Sequence, residues 1–356
     1  DGDAPTQQND NNQQRSKHAA AYPVCCRRMQ AVVATRYGGP DVLALVEREA
    51  PEVGAHDVRI RVKAASLNPL DYKIRQGKTK LVLDVKPPIA LGCDAAGIVE
   101  AVGPAVTKFK VDDEVFVRLE KNRMGAFAEQ ACAHEDVVAK KPSKITFAEA
   151  AAIPLAGLTS IQALRELAEL KPGQHVLIHA GAGGVGSLAV QIAKQLGLHV
   201  TATTSTKNAA FVRGLGADAI VDYTKGEPLP EVDAVFDTLG TTEKASIKAT
   251  KRGGTVVGVA GLPDGEFARH WLPAFARPVI WLGTFGRRRA AAKAGVTFRY
   301  LFMRPDGAQL AELGAWIDAG TLRPILHATF TLAQFREAFA ELERGHARGK
   351  IVMTLA

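Results

Sequence analysis

One short glycine-rich run constrains the fold of this chain more than any other feature. Residues 176–186 read VLIHAGAGGVG, an apolar stretch followed by glycines at positions 181, 183 and 186. Apolar residues then recur at helical spacing up to Gly197, and they are Val185, Leu188, Ala189, Ile192 and Leu196. The run therefore predicts a strand, a tight turn and a helix of the kind that binds a dinucleotide.

The three glycines have separate roles in this prediction. Backbone N–H groups at a helix N-terminus attract a pyrophosphate, and side chains would block its approach. We expect Gly181 to permit the tight turn, Gly183 to let the ligand come close, and Gly186 to let the helix pack on the strand. The alternative is a glycine-rich turn that binds no ligand.

The end of the next predicted strand, residues 199–204, indicates which dinucleotide is bound. An NAD site places an Asp or Glu about 20 residues after the glycines, where it binds the ribose 2′-hydroxyl. This chain instead has hydroxyl groups and one cation there, namely Thr203, Thr204, Ser205, Thr206 and Lys207. Because these groups suit a 2′-phosphate, we predict a preference for NADPH over NADH. A solvated polar loop is the alternative.

Composition limits the class of protein. The 356 residues allow two domains, and 47% hydrophobic with 23% charged residues is ordinary for a globular protein. No stretch approaches the about 20 apolar residues of a membrane span, and the first 28 residues lack the apolar core of a secretory signal. We therefore expect a cytoplasmic protein with no membrane partner.

Charge and cysteine usage add two further expectations. The net charge of +8 favours anionic ligands, but the dense run at residues 287–289 is expected to be a solvated surface, and no nucleic-acid-binding module accompanies it. Cys25, Cys26, Cys93 and Cys132 form neither a disulfide framework nor a CxxC metal pair, which fits a reducing compartment. Cys93 is expected to be a small buried side chain rather than a nucleophile.

The chain divides into four segments. Residues 1–28 are polar and predicted to be disordered, and residues 29–154 form a mostly β unit in which Val58, Ile60 and Val62 alternate with charged residues. Residues 155–290 alternate strands with helices, which predicts a doubly wound parallel sheet. Its strand candidates lie at 175–180, 199–204, 219–222, 232–237 and 254–259. Residues 291–356 return to the first unit, with a helix near Leu310 and a closing strand at 349–353.

Several separated motifs occur in a set order along residues 29–356. They are SLNPLD at 66–71, GCDAAG at 92–97 followed by VG at 102–103, GAFAE at 125–129, PLAGLT at 154–159, the glycine run, and GHARGKIV at 345–352. This order resembles the zinc-free quinone oxidoreductase branch of the medium-chain dehydrogenase/reductase superfamily. The resemblance implies an α/β fold, with a Rossmann doubly wound parallel sheet beside a GroES-like, mostly β catalytic domain, and a homodimer.

The motifs depart from those of the zinc alcohol dehydrogenases. Where such enzymes carry Cys, His-Glu and Cys ligands, this chain has Asp71, Cys93 with Asp94, and Leu155. One soft ligand is a poor basis for tetrahedral zinc, so no metal site is predicted. Alcohol oxidation would then lack its Lewis acid, whereas reduction of a quinone or an activated C=C bond needs none.

The resemblance and the motifs together assign candidate site residues. Asn68, Tyr72 and Lys73 are the catalytic candidates, with Tyr72 or Lys73 as donors to the substrate oxygen. The cofactor-binding candidates are Asn68, Thr159, Gly181, Gly183, Gly184, Val185, Gly186, Thr204, Ser205, Lys207, Tyr223, Thr238, Val259, Gly261 and Lys350.

A purely structural role stays open for several of these residues. Tyr72 could pack at a domain edge, Lys73 could be solvated, and Asn68 before Pro69 could be a plain turn residue. For three cofactor candidates the structural roles are helix capping by Thr159, a core position for Tyr223, and a flanking position beside the closing strand for Lys350.

The predicted function is NADPH-dependent reduction of a quinone or an α,β-unsaturated carbonyl, with a small-molecule substrate and no nucleic acid. An enoyl-thioester reductase is one alternative, in which the arginines near 287 would meet a carrier phosphate. A non-catalytic NADPH-binding protein of the same fold is another.

Overall fold

The computed structural model describes residues 28–83 and 85–356. The predicted disordered extension, apart from Arg28, lies outside the described residues, as do Cys25 and Cys26. Arg28 itself begins the first strand.

The elements follow one another in three groups. The first group contains β1 (Arg28–Ala34), β2 (Leu43–Glu49), β3 (Asp57–Ser66), α1 (Pro69–Arg75), β4 (Ile89–Ala90), β5 (Asp94–Val102), β6 (Glu114–Arg118), β7 (Gln130–His134), β8 (Val138–Lys140) and α2 (Phe147–Ala151). The second contains α3 (Pro154–Ile161), continued by a π-helical segment (Gln162–Leu167), then β9 (His175–Ile178), α4 (Gly184–Gln195), β10 (His199–Thr204), α5 (Ala209–Arg213), β11 (Ala219–Asp222), β12 (Val232–Asp237), α6 (Glu243–Ala249), β13 (Thr250–Gly258), α7 (Gly265–Trp271), α8 (Arg277–Gly283), α9 (Phe285–Ala294) and β14 (Thr297–Tyr300). The last contains α10 (Gly307–Asp318), β15 (Leu326–Thr331), α11 (Phe335–Arg344) and β16 (Lys350–Thr354).

The second group forms the predicted doubly wound parallel sheet. Its six strands are ordered β11-β10-β9-β12-β13-β14, and every neighbouring pair is parallel. Successive residues of β9 point to opposite faces: Ile178 packs in one core cluster with Leu188 of α4, and Leu177 packs in another with Ile247 of α6. Helices therefore cover both faces, which confirms the predicted fold class.

The parallel sheet extends beyond the predicted boundary at residue 290. Strand β14 pairs in parallel with β13, from Thr297 opposite Thr255 to Tyr300 opposite Gly258. The segment 291–356 therefore begins by completing this sheet and returns to the β unit only afterwards.

The first group and the closing strands form the mostly β unit. A seven-stranded sheet runs β15-β16-β3-β5-β6-β8, with β7 also paired to β3, and a three-stranded sheet runs β2-β1-β4. Strand β16 joins antiparallel to β3, with Val352 opposite Ser66. This pairing brings the C-terminal end of the chain to the residues that precede α1.

The basic run at residues 287–289 is only partly the solvated surface that its composition suggests. Arg288 and Arg289 are exposed, but Arg287 is 7% exposed. Its guanidinium donates to Glu243 at 2.8 Å and to the carbonyl oxygens of Leu262 and Pro263 at 2.6 and 2.8 Å. The expectation of a solvated surface is wrong for Arg287, because these acceptors replace water.

Candidate active site

The glycine run forms the turn between β9 and α4. Gly183 is the residue before the helix, in extended conformation, and a Cβ on Gly186 would lie 2.1 Å from the carbonyl oxygen of Ala180. Gly186 therefore permits the close helix–turn packing that its position predicts. The open N-terminus of the 12-residue helix α4 is a suitable site for a pyrophosphate.

The conformation of the turn differs from the prediction in one respect. The left-handed residue is Ala180, with φ of 52°, whereas Gly181 does not have positive φ. A Cβ on Gly181 would lie 2.9 Å from Cβ of Ala202 and 3.0 Å from Cγ1 of Val212. Gly181 is thus required by close packing on β10 and α5, and not by the turn.

A buried histidine that sequence reasoning missed supports this turn. The ring nitrogens of His179 lie 3.2 Å from Thr203 Oγ1 and 3.1 Å from Ser246 Oγ, and burial lowers the pKa of His179. The Ala180 N–H donates to the same Thr203 hydroxyl at 3.1 Å. A polar residue directly before the glycines of an apolar strand was the available signal.

The candidates for the adenosine end lie around the end of β10. Thr204 and Ser205 are buried there, whereas Lys207 is exposed. Tyr223 is 64% exposed, which excludes its alternative role as a core aromatic residue. Both Lys207 and Tyr223 are accessible to a ligand.

The structure adds a carboxylate that the sequence reasoning missed. Asp222 ends β11 opposite Thr204. It accepts hydrogen bonds from the hydroxyls of Thr206 and Thr224 at 2.5 and 2.6 Å, and these bonds lower the pKa of Asp222. Asp222 is therefore ionised at neutral pH, and each of its oxygens accepts a hydrogen bond from a neighbouring hydroxyl.

Three further cofactor candidates lie where β12 and β13 end. The Thr238 hydroxyl donates to the His179 carbonyl oxygen at 2.9 Å, next to the glycine turn. Val259 is half-buried and its N–H donates to the Asp237 carbonyl oxygen at 3.2 Å. Gly261 has φ of 81° and is exposed. These residues follow the carboxyl ends of parallel strands, where ligands of such sheets bind.

The return strand contacts the glycine turn directly. The Gly349 N–H donates to the Ala182 carbonyl oxygen at 3.0 Å, and Gly183 and Gly349 form an isolated parallel bridge. A Cβ on Gly184 would lie 2.9 Å from Cδ of Lys350. The glycine turn and the mostly β unit therefore meet at residues 349–350.

Lys350 extends from this contact into a buried polar network. Its ammonium donates to Asn68 Oδ1 at 2.5 Å and to the Leu67 carbonyl oxygen at 3.1 Å, and it lies 3.7 Å from Asp94 Oδ2. Asn68 Nδ2 donates to the same Asp94 oxygen at 3.0 Å. The alternative that Lys350 only flanks its strand is therefore excluded, and Asn68 does more than make a turn.

Asp71 belongs to the same region and fixes the start of α1. Its Oδ2 accepts from the Asn68 N–H at 2.7 Å, three residues away, which is the spacing of a capping box with Pro69 at the first helical position. Its Oδ1 has no partner among the described residues. Burial, opposed by the Asn68 N–H and reinforced by Asp94, raises the pKa of Asp71 from 3.8 to about 7.

This raised pKa predicts a pH-dependent stability. Between pH about 4 and about 7 the folded protein holds a proton on Asp71 that the unfolded chain has released. The free energy of unfolding contributed by this group therefore falls as pH rises through that window. We expect Asp71→Asn to remove this fall, as measured by urea unfolding at a series of pH values. Asp41→Asn, at an exposed carboxylate, should keep the wild-type slope, and an unchanged slope in Asp71→Asn would contradict the assignment.

The remaining candidates lie close to this network in sequence. Tyr72 and Lys73 are half-buried on α1, and Tyr72 packs against the core of the β unit. Burial, and secondarily the nearby Lys78, lowers the pKa of Lys73, so this lysine is not simply solvated. Thr159 is buried inside α3 and does not cap that helix.

The residues at the positions of zinc ligands do not suit zinc. Both Asp94 oxygens are engaged, one by the Leu155 N–H at 3.0 Å and the other by Ser66 Oγ at 3.1 Å and Asn68. Burial raises the pKa of the Cys93 thiol well above its ordinary value, whereas zinc binds the thiolate. No group of three or more His, Cys, Asp or Glu side chains that could hold a metal occurs within residues 28–83 and 85–356.

Two protein families match successive parts of the chain. Residues 54–143 match the family described as "Alcohol dehydrogenase GroES-like domain", and residues 215–353 match "Zinc-binding dehydrogenase". The zinc in the second description contrasts with the engaged side chains of Asp94 and the neutral Cys93.

Individual relatives cover nearly the whole described chain. It is 37% identical over 341 residues to the NADPH-dependent alkenal/one oxidoreductase, chloroplastic, of Arabidopsis thaliana, covering 92% of this chain and 80% of the relative. It is 36% identical to the 2-methylene-furan-3-one reductase of Solanum lycopersicum, covering 91% and 79%. The solved structure of the quinone oxidoreductase from Coxiella burnetii has a TM-score of 0.80 and 34% identity, and the match covers 93% of this chain and all of the other.

Proposed function

The chain belongs to the medium-chain dehydrogenase/reductase superfamily, in its branch of quinone and alkenal oxidoreductases, and we propose that it reduces quinones or α,β-unsaturated carbonyls with NADPH and without zinc. The observation that carries the proposal is the junction at residues 349–350. There the dinucleotide-type glycine turn meets the buried Asn68–Asp94–Lys350 network, in which Asp94 has no free oxygen for a metal. This arrangement supports hydride transfer to an acceptor that needs no Lewis acid.

The cofactor and the protein would contribute different parts of the reaction. A bound nicotinamide supplies the hydride. The protein must orient the acceptor and stabilise the negative charge that develops on its oxygen. Both polar atoms of the Asn68 amide are hydrogen-bonded, its oxygen to Lys350 and its nitrogen to Asp94. We therefore propose that Asn68 has a fixed orientation and lines the nicotinamide site.

The proton donor is proposed to come from α1. Tyr72 and Lys73 are half-buried, and in sequence they follow Asn68 by four and five residues. The pKa of Lys73 is lowered by burial, which makes its ammonium a better proton donor near neutral pH. Either side chain would protonate or hydrogen-bond the oxygen of the reduced acceptor.

The proposed preference for NADPH is supported by the adenosine end of the site. Thr204 and Ser205 supply hydroxyl groups, and the accessible side chains of Lys207 and Tyr223 supply a cation and a ring. Asp222 would repel a 2′-phosphate, but the Lys225 ammonium lies 3.8 Å from its Oδ2 and offsets part of its charge. We therefore expect the exposed side chain of Lys207 to determine the preference for NADPH over NADH.

Lys207→Ala is expected to lower kcat/KM for NADPH by about tenfold, because a charge-assisted contact to the phosphate is lost. The value for NADH should be unchanged, since NADH has no 2′-phosphate. Steady-state kinetics with both cofactors measure the ratio. Lys248→Ala, at an exposed lysine of α6, is the matched control and should leave both values unchanged. An equal effect on NADPH and NADH would contradict the proposed contact.

The structure removes one of the arginines that the enoyl-thioester alternative requires and leaves Arg288 and Arg289 exposed, so substrate choice decides between the two functions. Arg287, one of the arginines proposed to meet a carrier phosphate, is occupied by Glu243 and by two carbonyl oxygens. A panel of a free alkenal, an enone, a benzoquinone and a crotonyl thioester, each mixed with the protein and NADPH, tests the function. Turnover of the first three above the thioester supports the proposal. Turnover of the thioester alone favours the alternative, and NADPH binding without any turnover favours a non-catalytic protein.

The oligomeric state and the cellular location remain predictions. The homodimer awaits a measurement of mass in solution. The cytoplasmic location also remains a prediction, and the Arabidopsis relative is named as chloroplastic.

A further inference from the structure

A cluster of large apolar side chains is exposed around α8. Phe275, Val279, Trp281, Leu282 and Phe285 are between 53% and 75% exposed. We call these five residues the α8 patch. Large apolar side chains gathered on a surface mark an interaction site more often than an ordinary solvated face.

The sequence segment that contains the α8 patch carries side-chain charges of one sign. From Phe267 to Pro305 the sequence contains no Asp or Glu. Its basic residues are Arg269, Arg277, Arg287, Arg288, Arg289, Lys293, Arg299 and Arg304. Carboxylates from outside the segment pair with three of them, Arg287 with Glu243, Arg299 with Glu266 and Arg304 with Glu166. The positive charge beside the α8 patch is therefore mainly that of Arg277, Arg288 and Arg289.

Several of these cations are not neutralised by carboxylates. Arg277 donates to the carbonyl oxygens of Leu272 and Arg269, both at 3.1 Å, and Arg288 donates to that of Trp281 at 3.0 Å. Arg289 is exposed beside them. These bonds orient the guanidinium groups and leave their charge available to an external anion.

The aromatic and basic groups are also stacked on one another. The Arg288 guanidinium lies 4.5 Å from the centre of the Trp281 ring. Exposed Trp, Phe and Leu side chains bordered by arginines are the combination that lies at the boundary between lipid headgroups and acyl chains. The apolar side chains enter the bilayer boundary while the arginines bind the headgroup phosphates.

We propose that the α8 patch docks this protein on the surface of an anionic lipid bilayer. Charge complementarity favours this partner over a second copy of the chain. A twofold interface would place the patch against itself, with the arginines of one copy facing those of the other. The proposal does not rest on the proposed function.

Surface docking requires no membrane span. No helix in the described parts of the chain is long and apolar enough to cross a bilayer. The expectation of no membrane partner, drawn from the sequence, depends only on the lack of a stretch long and apolar enough to cross the bilayer. A patch that binds the membrane surface needs no such stretch, because its apolar residues enter only the boundary of the bilayer.

The test is co-sedimentation of the full chain with vesicles. Vesicles of phosphatidylcholine alone are compared with vesicles of mixed phosphatidylcholine and phosphatidylglycerol, at low and high salt. We expect binding to the mixed vesicles that weakens with salt. Trp281→Ser/Leu282→Ser should bind about tenfold more weakly, as should Arg288→Glu/Arg289→Glu.

Matched controls lie elsewhere on the surface. Val111→Ser changes another apolar residue, 48% exposed, and Arg48→Glu/Lys110→Glu makes the same charge change at two exposed sites. Both controls should bind mixed vesicles as the wild type does. All variants should keep the wild-type melting temperature and NADPH affinity, which shows that they are folded.

Three outcomes would overturn the proposal. The first is a wild-type protein that does not bind mixed vesicles, including the case in which it binds poly-glutamate instead, which would indicate an acidic protein partner. The second is full vesicle binding by Trp281→Ser/Leu282→Ser. The third is a concentration-dependent dimer, without vesicle binding, that the same variant abolishes, since that would identify a second copy as the partner.

Discussion

Lys350→Met is expected to lower the free energy of unfolding by about 3–5 kcal/mol, because it leaves a buried carboxylate without its cation. Asp94 is fully buried and lies 3.7 Å from the Lys350 ammonium. The substitution also removes the donor to Asn68 Oδ1 and to the Leu67 carbonyl oxygen. Methionine retains most of the side-chain volume, so the effect reports the charge and its hydrogen bonds. Urea unfolding at neutral pH measures it.

Two further variants separate this explanation from a general effect of altering a buried lysine. Lys350→Met/Asp94→Asn removes both charges, and we expect it to be more stable than Lys350→Met alone. Lys141→Met changes another buried lysine, whose carboxylate partner Glu114 is exposed to water, so its cost should be smaller. A double variant no more stable than Lys350→Met alone would contradict the coupling of the two charges.

Gly186→Ala is the second substitution with a large expected effect. The added Cβ would lie 2.1 Å from the Ala180 carbonyl oxygen and 2.9 Å from Cα of Gly181, and both atoms are backbone. The turn must shift, so we expect a loss of about 3 kcal/mol in the free energy of unfolding. NADPH affinity, measured by fluorescence titration, should fall at least about tenfold with it.

Gly286→Ala provides the matched control for that substitution. Gly286 is the second residue of α9, in the first turn of the helix, and apart from the helix's own backbone no atom lies within 4 Å of its added Cβ. The same chemical change should therefore be neutral or stabilise the protein by less than the about 1 kcal/mol that replacing Gly by Ala gives in a helix interior. Equal effects at positions 186 and 286 would contradict the role given to the glycine turn.

The parallel sheet was predictable because its strands are short apolar runs bounded by turns. Three predicted strands, at 199–204, 219–222 and 232–237, have the observed bounds. Strand β13 begins at Thr250 and not at 254, because Thr250 pairs with Val232 across a register shift. Strand β14 was missed, since its four residues show no apolar run and join the sheet only through pairing with β13.

The site was predictable only where its parts are local in sequence. The glycine turn and the hydroxyl-rich end of β10 each occupy a few consecutive residues. The contact of Lys350 with Asn68 joins residues 282 positions apart, and no local pattern encodes such a pairing. The same is true of Arg287, whose partner Glu243 lies 44 positions away.

The proposed reaction is hydride transfer from NADPH to a carbon of an activated double bond without zinc. It is tested most directly by incubating the chelator-treated protein with NADPH deuterated at the transferable position and an α,β-unsaturated ketone. The position of deuterium in the product is then read by NMR. We expect a saturated ketone with deuterium on the β-carbon. An allylic alcohol with deuterium on the carbonyl carbon, or activity that disappears on chelation, would contradict it.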